Sequence, residues 1–162
     1  FSLGNAYRRL GRYDEAEASY LQSLQMEYNT TSVDNLTDYY GNPLPVDNDN
    51  KVDLIVAASP EQRLNMITNI TPNIITRIGS LGDVYSEKKQ YRRAEAYYNK
   101  AAEFMDELYG KGAAVYDAAA SLVNQGINYL HMNLYSDADQ CYTEALAIYR
   151  KLSPGGDSVD YA

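Results

Sequence analysis

The sequence predicts an all-α chain built as an array of helical hairpins. Three observations predict it: one residue pattern recurs three times, its spacings are helical, and each copy has a short polar break at its centre. The pattern is anchored on Gly4, Gly82 and Gly126. Three residues after each glycine stands a tyrosine (Tyr7, Tyr85, Tyr129), and nine after it another (Tyr13, Tyr91, Tyr135). Twelve after it is an alanine (Ala16, Ala94, Ala138), and sixteen after it a third tyrosine (Tyr20, Tyr98, Tyr142). A small residue (Ser23, Ala101, Ala145) comes nineteen after it. Nine of the 17 tyrosines occupy these slots. The repeat, rather than an aromatic ligand box, therefore accounts for most of the tyrosine.

The spacings have a physical logic. Glycine and tyrosine at i and i+3 share one face of a first helix, and alanine, tyrosine and the small residue at i, i+4 and i+7 share one face of a second. Small residues let the two backbones approach where the helices cross, and the rings fill the space beside them. The breaks are Arg8 to Arg12, Ser86 to Gln90 and His131 to Leu134. A single hairpin of this kind cannot bury its apolar face, so the copies are expected to stack.

Taken in order, residues 1–28 form the first unit, and Phe1 falls inside its helical motif, so the chain is expected to continue upstream. Residues 29–71 form an insertion: a polar loop rich in Asn, Asp, Thr and Pro, then a short helix. That helix starts at Ser59 with Pro60 in its first position and runs to about Thr68. Thr71-Pro72 restarts the chain. Residues 72–110 form the second unit and 111–153 a longer third, with helices extended around Gly110-Lys111-Gly112. Residues 154–162 read as the lead-in to a further repeat. The gap from Gly4 to Gly82 also leaves room for a degenerate extra repeat. No segment within it carries the Gly/Tyr/Ala/Tyr slots, so an insertion is the preferred reading.

The segments FSLGNAYRRLGRYDEAEASYLQSL, IGSLGDVYSEKKQYRRAEAYYNKAA and LVNQGINYLHMNLYSDADQCYTEAL resemble tetratricopeptide-repeat units, whose signature runs Leu-Gly, Tyr, Ala, aromatic. Only Gln125, before Gly126, departs at the Leu-Gly step. The long second and third units resemble those of kinesin light chain. The resemblance implies a right-handed α-solenoid with the irregular insertion after its first repeat. It also implies a non-catalytic adaptor or scaffold, without cofactors, that binds a peptide segment or partner protein in its concave groove. Two other readings stand beside it: a structural or assembly subunit of a large multiprotein complex, and the regulatory region of a longer enzyme.

The same resemblance places groove positions on the first helix of each hairpin: Asn5, Arg8 and Arg9; Thr76, Gly79, Ser80, Asp83 and Glu87; Ala120, Val123, Asn124, Ile127 and His131. A clamp for a C-terminal carboxylate would need Lys, Arg and Asn on successive first helices. Only Asn5 fits, and Asp83 with Glu87 would repel the ligand. Asn124 stands where long-repeat members carry an asparagine that pairs with a peptide backbone, although a surface asparagine without a partner is as good a reading. The groove of the third unit is otherwise fairly apolar and suits a segment with hydrophobic anchors, unless a neighbouring repeat covers it.

Charge and composition narrow the class. A net charge of −8 argues against a nucleic-acid ligand. No apolar run approaches the ~18–20 residues of a membrane span. One cysteine excludes an internal disulfide framework and agrees with a reducing compartment, the cytoplasm or an organelle interior rather than the outside of the cell. No signal or transit pattern is visible, but the chain expected upstream is where one would stand, so localisation stays unknown. The basic groups Arg8, Arg9, Arg12 and Lys88, Lys89, Arg92, Arg93 read as solubilising turns in preference to grips for an acidic partner. The stretch DNDNKVD has the alternating acids of a calcium loop but lacks its glycine, and Ala58 replaces the closing glutamate, so no metal is expected. Sequons begin at Asn29, Asn35 and Asn69 and would matter only in a secreted protein. His131 and Cys141 lie on facing helices of the third unit, but neither an orienting group nor an oxyanion site accompanies them, so no enzyme is expected. Gly110-Lys111-Gly112 and Gly155-Gly156 have no following Lys-Ser/Thr to hold phosphate.

Overall fold

A computed structural model describes residues 2–25, Ile67 and residues 70–153 of the chain. Its regular elements among these residues are all helices, paired in hairpins: α1 (Ser2–Arg9) with α2 (Tyr13–Gln25), α3 (Pro72–Glu87) with α4 (Tyr91–Tyr109), and α5 (Tyr116–His131) with α6 (Tyr135–Leu152). Each helix packs most extensively on its hairpin partner, and α2 meets α3 as α4 meets α5. The result is an all-α solenoid-like array. Ile67, the one described residue of the short helix read from Ser59 to about Thr68, sits in an isolated bridge rather than a helix. The rest of that segment, the polar loop before it, the DNDNKVD stretch, the sequon asparagines and the 154–162 lead-in lie outside the described residues.

Local chemistry sets the helix ends. Thr71 caps α3, its Oγ1 accepting from the Ile74 amide at 3.3 Å, and Pro72 occupies the first turn, where a missing N–H costs nothing. All three hairpin turns close in one geometry. Gly11, Lys89 and Asn133 stand at the same register and all have positive φ, at 70°, 61° and 59°. The next amide (Arg12, Gln90, Leu134) donates to the carbonyl of the slot tyrosine (Tyr7, Tyr85, Tyr129) at 2.8–2.9 Å. This is a Schellman closure, which satisfies helix-end carbonyls that would otherwise be orphaned.

The repeat glycine is explained by what lies against it. A methyl group on Gly4 would come within 2.8 Å of Tyr20 Cε1, one on Gly82 within 2.7 Å of Tyr98 Cε1, and one on Gly126 within 2.7 Å of Tyr142 Cε1. One edge of the tyrosine ring of the second helix thus rests against the glycine backbone of the first. The first slot tyrosine does a different job and reaches back to the previous hairpin. Tyr85 donates to Glu17 Oε1 at 2.8 Å, and Tyr129 donates to Glu95 Oε1 at 3.1 Å. Glu17 and Glu95 both follow a slot alanine, so one latch joins hairpin to hairpin at both junctions.

The two junctions differ in their filling. Leu81, Val84 and Tyr85 of α3 join Ala16, Tyr20 and Leu24 of α2 in one buried cluster. Where α3 has Leu81 and Val84, α5 has the buried Gln125 and Asn128. Gln125 donates to Asn99 Oδ1 at 2.7 Å, and Asn128 donates to the Tyr91 carbonyl at 3.0 Å. The departure of Gln125 from the repeat signature is therefore part of a polar junction.

Two substitutions on α3 separate ring contact from helix propensity. Gly79→Ala meets nothing within 4 Å and should stabilise by about 0.5–1 kcal/mol in urea unfolding. Gly82→Ala should instead cost about 1–2 kcal/mol net, because it drives into the buried Tyr98 ring. Equal effects at the two sites would refute the packing role of the ring. Lys89→Gly should gain about 0.5–1 kcal/mol by relieving a left-handed residue that carries a Cβ, which a shift in thermal midpoint will show.

Candidate functional site

The C-terminal halves of α1, α3 and α5 line a cleft of about 230 Å³, to which α4 adds Tyr98. Its floor is polar and centred on Asp83. Arg8 of α1 forms an ion pair with Asp83 Oδ2. Tyr98 donates to Asp83 Oδ1 at 2.9 Å, and Asn124 Nδ2 of α5 donates to the same oxygen at 3.0 Å. One carboxylate on α3 therefore ties together the first helices of all three hairpins. Burial pushes the Asp83 carboxyl above its ordinary value, by more than the Arg8 charge and the Tyr98 and Arg8 hydrogen bonds pull it down. The same burial raises the Tyr98 hydroxyl, and the neighbouring Asp83 charge adds to it.

The walls are mixed. Glu87 is exposed and accepts from Tyr13 at 3.3 Å. His131 closes one end with its ring stacked on Tyr91, 5.2 Å between centroids and 12° between planes. Ile127, one turn before His131 on α5, lines the cleft and keeps 43% of its surface exposed. The register explains this apolar spot. The residue after the repeat glycine is Asn5 in the first hairpin and Asp83 in the second, and each accepts from its own slot tyrosine, Tyr20 or Tyr98. In the third hairpin that residue is Ile127, which offers the Tyr142 hydroxyl no acceptor.

Of the positions assigned to the groove by sequence, Arg8, Asp83, Glu87, Asn124, Ile127 and His131 meet around the cleft. Asn5, Arg9, Thr76, Gly79, Ser80, Ala120 and Val123 do not line it: Asn5 is engaged by Tyr20, Arg9, Thr76 and Ala120 lie exposed, Gly79 and Ser80 are half-buried on α3, and Val123 is half-buried beside the cleft residue Asn124. Two expectations change. Asp83 is not a free charge that would repel a ligand but one paired with Arg8, and Asn124 is not a surface asparagine without a partner, since one N–H of its amide bonds Asp83. Sequence reading missed Ser86 and Tyr98, which also line the cleft. The polar residue after Gly4 and Gly82, paired with a tyrosine on the facing helix, was the signal for Tyr98.

Cys141 is buried, and burial first, then the charges of Glu144 and Asp137, hold its thiol above the ordinary range. His131 is exposed and stacked on Tyr91. No group of three or more His, Cys, Asp or Glu side chains able to hold a metal occurs among the described residues. No helix among them is long and apolar enough to cross a membrane.

A sequence model described as tetratricopeptide repeat matches residues 74–151, and a second with the same description matches residues 1–33. Together they take in about two thirds of the chain. No curated protein matches the chain.

The Asp83 carboxyl has a measurable signature. Its folded value lies above the 3.8 of an ordinary aspartate, so the folded state holds the proton more tightly than the unfolded one. The stability it lends is complete below 3.8 and is lost as pH rises through the folded value. Asp83→Asn cannot ionise and escapes that loss. The stability difference between variant and wild type should therefore move in favour of the variant as pH is raised above 3.8. Chemical unfolding across that range will show it, and a difference independent of pH would contradict burial as the dominant influence on Asp83.

Proposed function

We propose that this chain, which belongs to the tetratricopeptide-repeat family, is a non-catalytic scaffold that binds an extended segment of a partner protein across the cleft of α1, α3 and α5. The repeats themselves support a role in protein–protein interaction or scaffolding in general. The observation that carries the finer reading is the pairing of a fixed polar floor with an apolar side chain left open: Asp83 holds Arg8, Tyr98 and Asn124 in place, and Ile127 projects beside them. A floor whose hydrogen bonds are already made does not rearrange on binding, so little of the interaction energy is spent on ordering it. Ile127 offers the apolar contact, desolvated on binding, from which such sites draw most of their affinity. Glu87, exposed at the rim, favours a segment with a basic residue beside its apolar anchor.

Non-catalytic is part of the proposal. The candidate nucleophile Cys141 is buried with a raised thiol, and the candidate base His131 stacks on Tyr91.

Selection of displayed random peptides against the chain tests the groove. Selected peptides should carry an aliphatic or aromatic anchor, bind Ile127→Asp about tenfold or more weakly, and lose a smaller factor on Glu87→Ala. Because Ile127 is exposed, the thermal midpoint of that variant should stay close to wild type. Peptides indifferent to both substitutions would place the binding surface elsewhere.

A further inference from the structure

A second groove, of about 460 Å³, opens at the junction of the second and third hairpins. It is bounded by α4, α5, α6 and the connection from Gly110 to Val115, and shares no lining residue with the cleft around Asp83. Met105, Tyr109, Val115, Leu122 and Ile148 make it apolar. Lys111, Lys151, Asp106 and Glu144 also line it, two charges of each sign.

The repeat register explains why the space is open. Counted back from the repeat glycine, Ile67 and Ile70, just before α3, and Ile74 within it correspond to Lys111 and Ala114, just before α5, and Ala118 within it. Ile67 and Ile74 belong to the buried core cluster, and Ile70 packs against it. Lys111 is exposed, and Ala114 and Ala118 are only half-buried. Each exchange of isoleucine for alanine removes three carbon atoms, and at Lys111 a charged chain that stays in water replaces a buried aliphatic one. Further along, Leu122 and Ile148 replace Ile78 and Phe104, so the rest of the wall stays apolar. The register therefore keeps an apolar wall and deletes the side chains that would fill it. Close-packed interiors do not leave such space without loss of dispersion contact.

We infer that this groove is a second docking site, for a neutral aliphatic segment of a partner protein with two aliphatic residues three positions apart. The spacing is that of Ile67 and Ile70, which supply the missing side chains at the same register just before α3. The balanced lining charges favour a segment without net charge.

The probe is a labelled synthetic peptide with the sequence of residues 64–71, titrated against the full chain by fluorescence anisotropy. Saturable binding is expected, with at least about a tenfold loss when Ile67 and Ile70 of the peptide are both alanine. Ala118→Ile, which restores the side chain found at Ile74, should weaken binding by a similar factor and raise the thermal midpoint of the protein. Ala147→Leu, at an exposed position lining the groove from α6, should weaken binding as well and reports even if Ala118→Ile fails to fold. Absence of saturable binding, or equal binding to both filled variants, overturns the proposal. Binding seen only after removal of residues 154–162 overturns it too, because the chain's own tail would then be the occupant.

Discussion

The contact between a repeat glycine and the tyrosine ring of the facing helix fixes the rest of the structure. A ring resting on bare backbone sets how closely two helices of a hairpin approach, and at 2.7–2.8 Å from a notional methyl group it leaves no room for any other residue. The same contact aims the ring. With its edge over the glycine, the hydroxyl falls beside the next residue of the first helix, which is why Tyr20 meets Asn5 and Tyr98 meets Asp83. The other slot tyrosine faces the preceding hairpin, where Tyr85 and Tyr129 reach its glutamate. One steric constraint inside each unit and one latch between units thus recur, and their repetition produces an array rather than a globule.

Asp83 shows how that scaffold becomes a binding surface. Its carboxylate is positioned by the Tyr98 hydroxyl within its own hairpin and then collects Arg8 from the unit before and Asn124 from the unit after. The half-buried charge costs desolvation free energy, visible in the raised carboxyl, and three donors offset it. Removing one donor would therefore do more than delete one bond, since the remaining charge would stay buried and less well satisfied. The third hairpin breaks the pattern with Ile127, and at that break the surface changes from a self-satisfied polar floor to an apolar contact.

The hairpins and their cores were legible in the sequence because glycine, tyrosine and alanine are each dictated by sterics at their slots. Gly4, Gly82 and Gly126 tolerate no side chain, and Ala16, Ala94 and Ala138 lie fully or almost fully buried. The closing turns were less legible. Gly11, Lys89 and Asn133 adopt the same left-handed conformation with three different side chains, because the Schellman hydrogen bonds, not the residue type, impose it. The groove was half legible. Its positions follow from the helical frame, but the partners of Asp83 and Asn124 depend on how far side chains reach between hairpins, and spacing along one helix does not encode that.

The contrast between the two junctions follows from the same frame. In a stacked array each unit contacts only its neighbours, so stability is close to a sum of unit and junction contributions. The buried filling of the first junction is aliphatic and aromatic, and its alignment is set at the edges, where Tyr85 and Lys88 both reach Glu17. The second places Gln125 and Asn128 in the same register, where only one alignment lets Gln125 reach Asn99 and Asn128 reach the Tyr91 carbonyl. Asn128 Oδ1 finds no partner among the described residues, at a cost of about 1–3 kcal/mol for a buried acceptor. A slip of the third hairpin by even one residue would leave more such groups unmet, so this junction gives up apolar burial and gains definition of register. That definition matters where it falls: α5 carries Asn124 and Ile127 into one groove and Leu122 into the other, and both surfaces keep their shape only while α5 stays in register with α4.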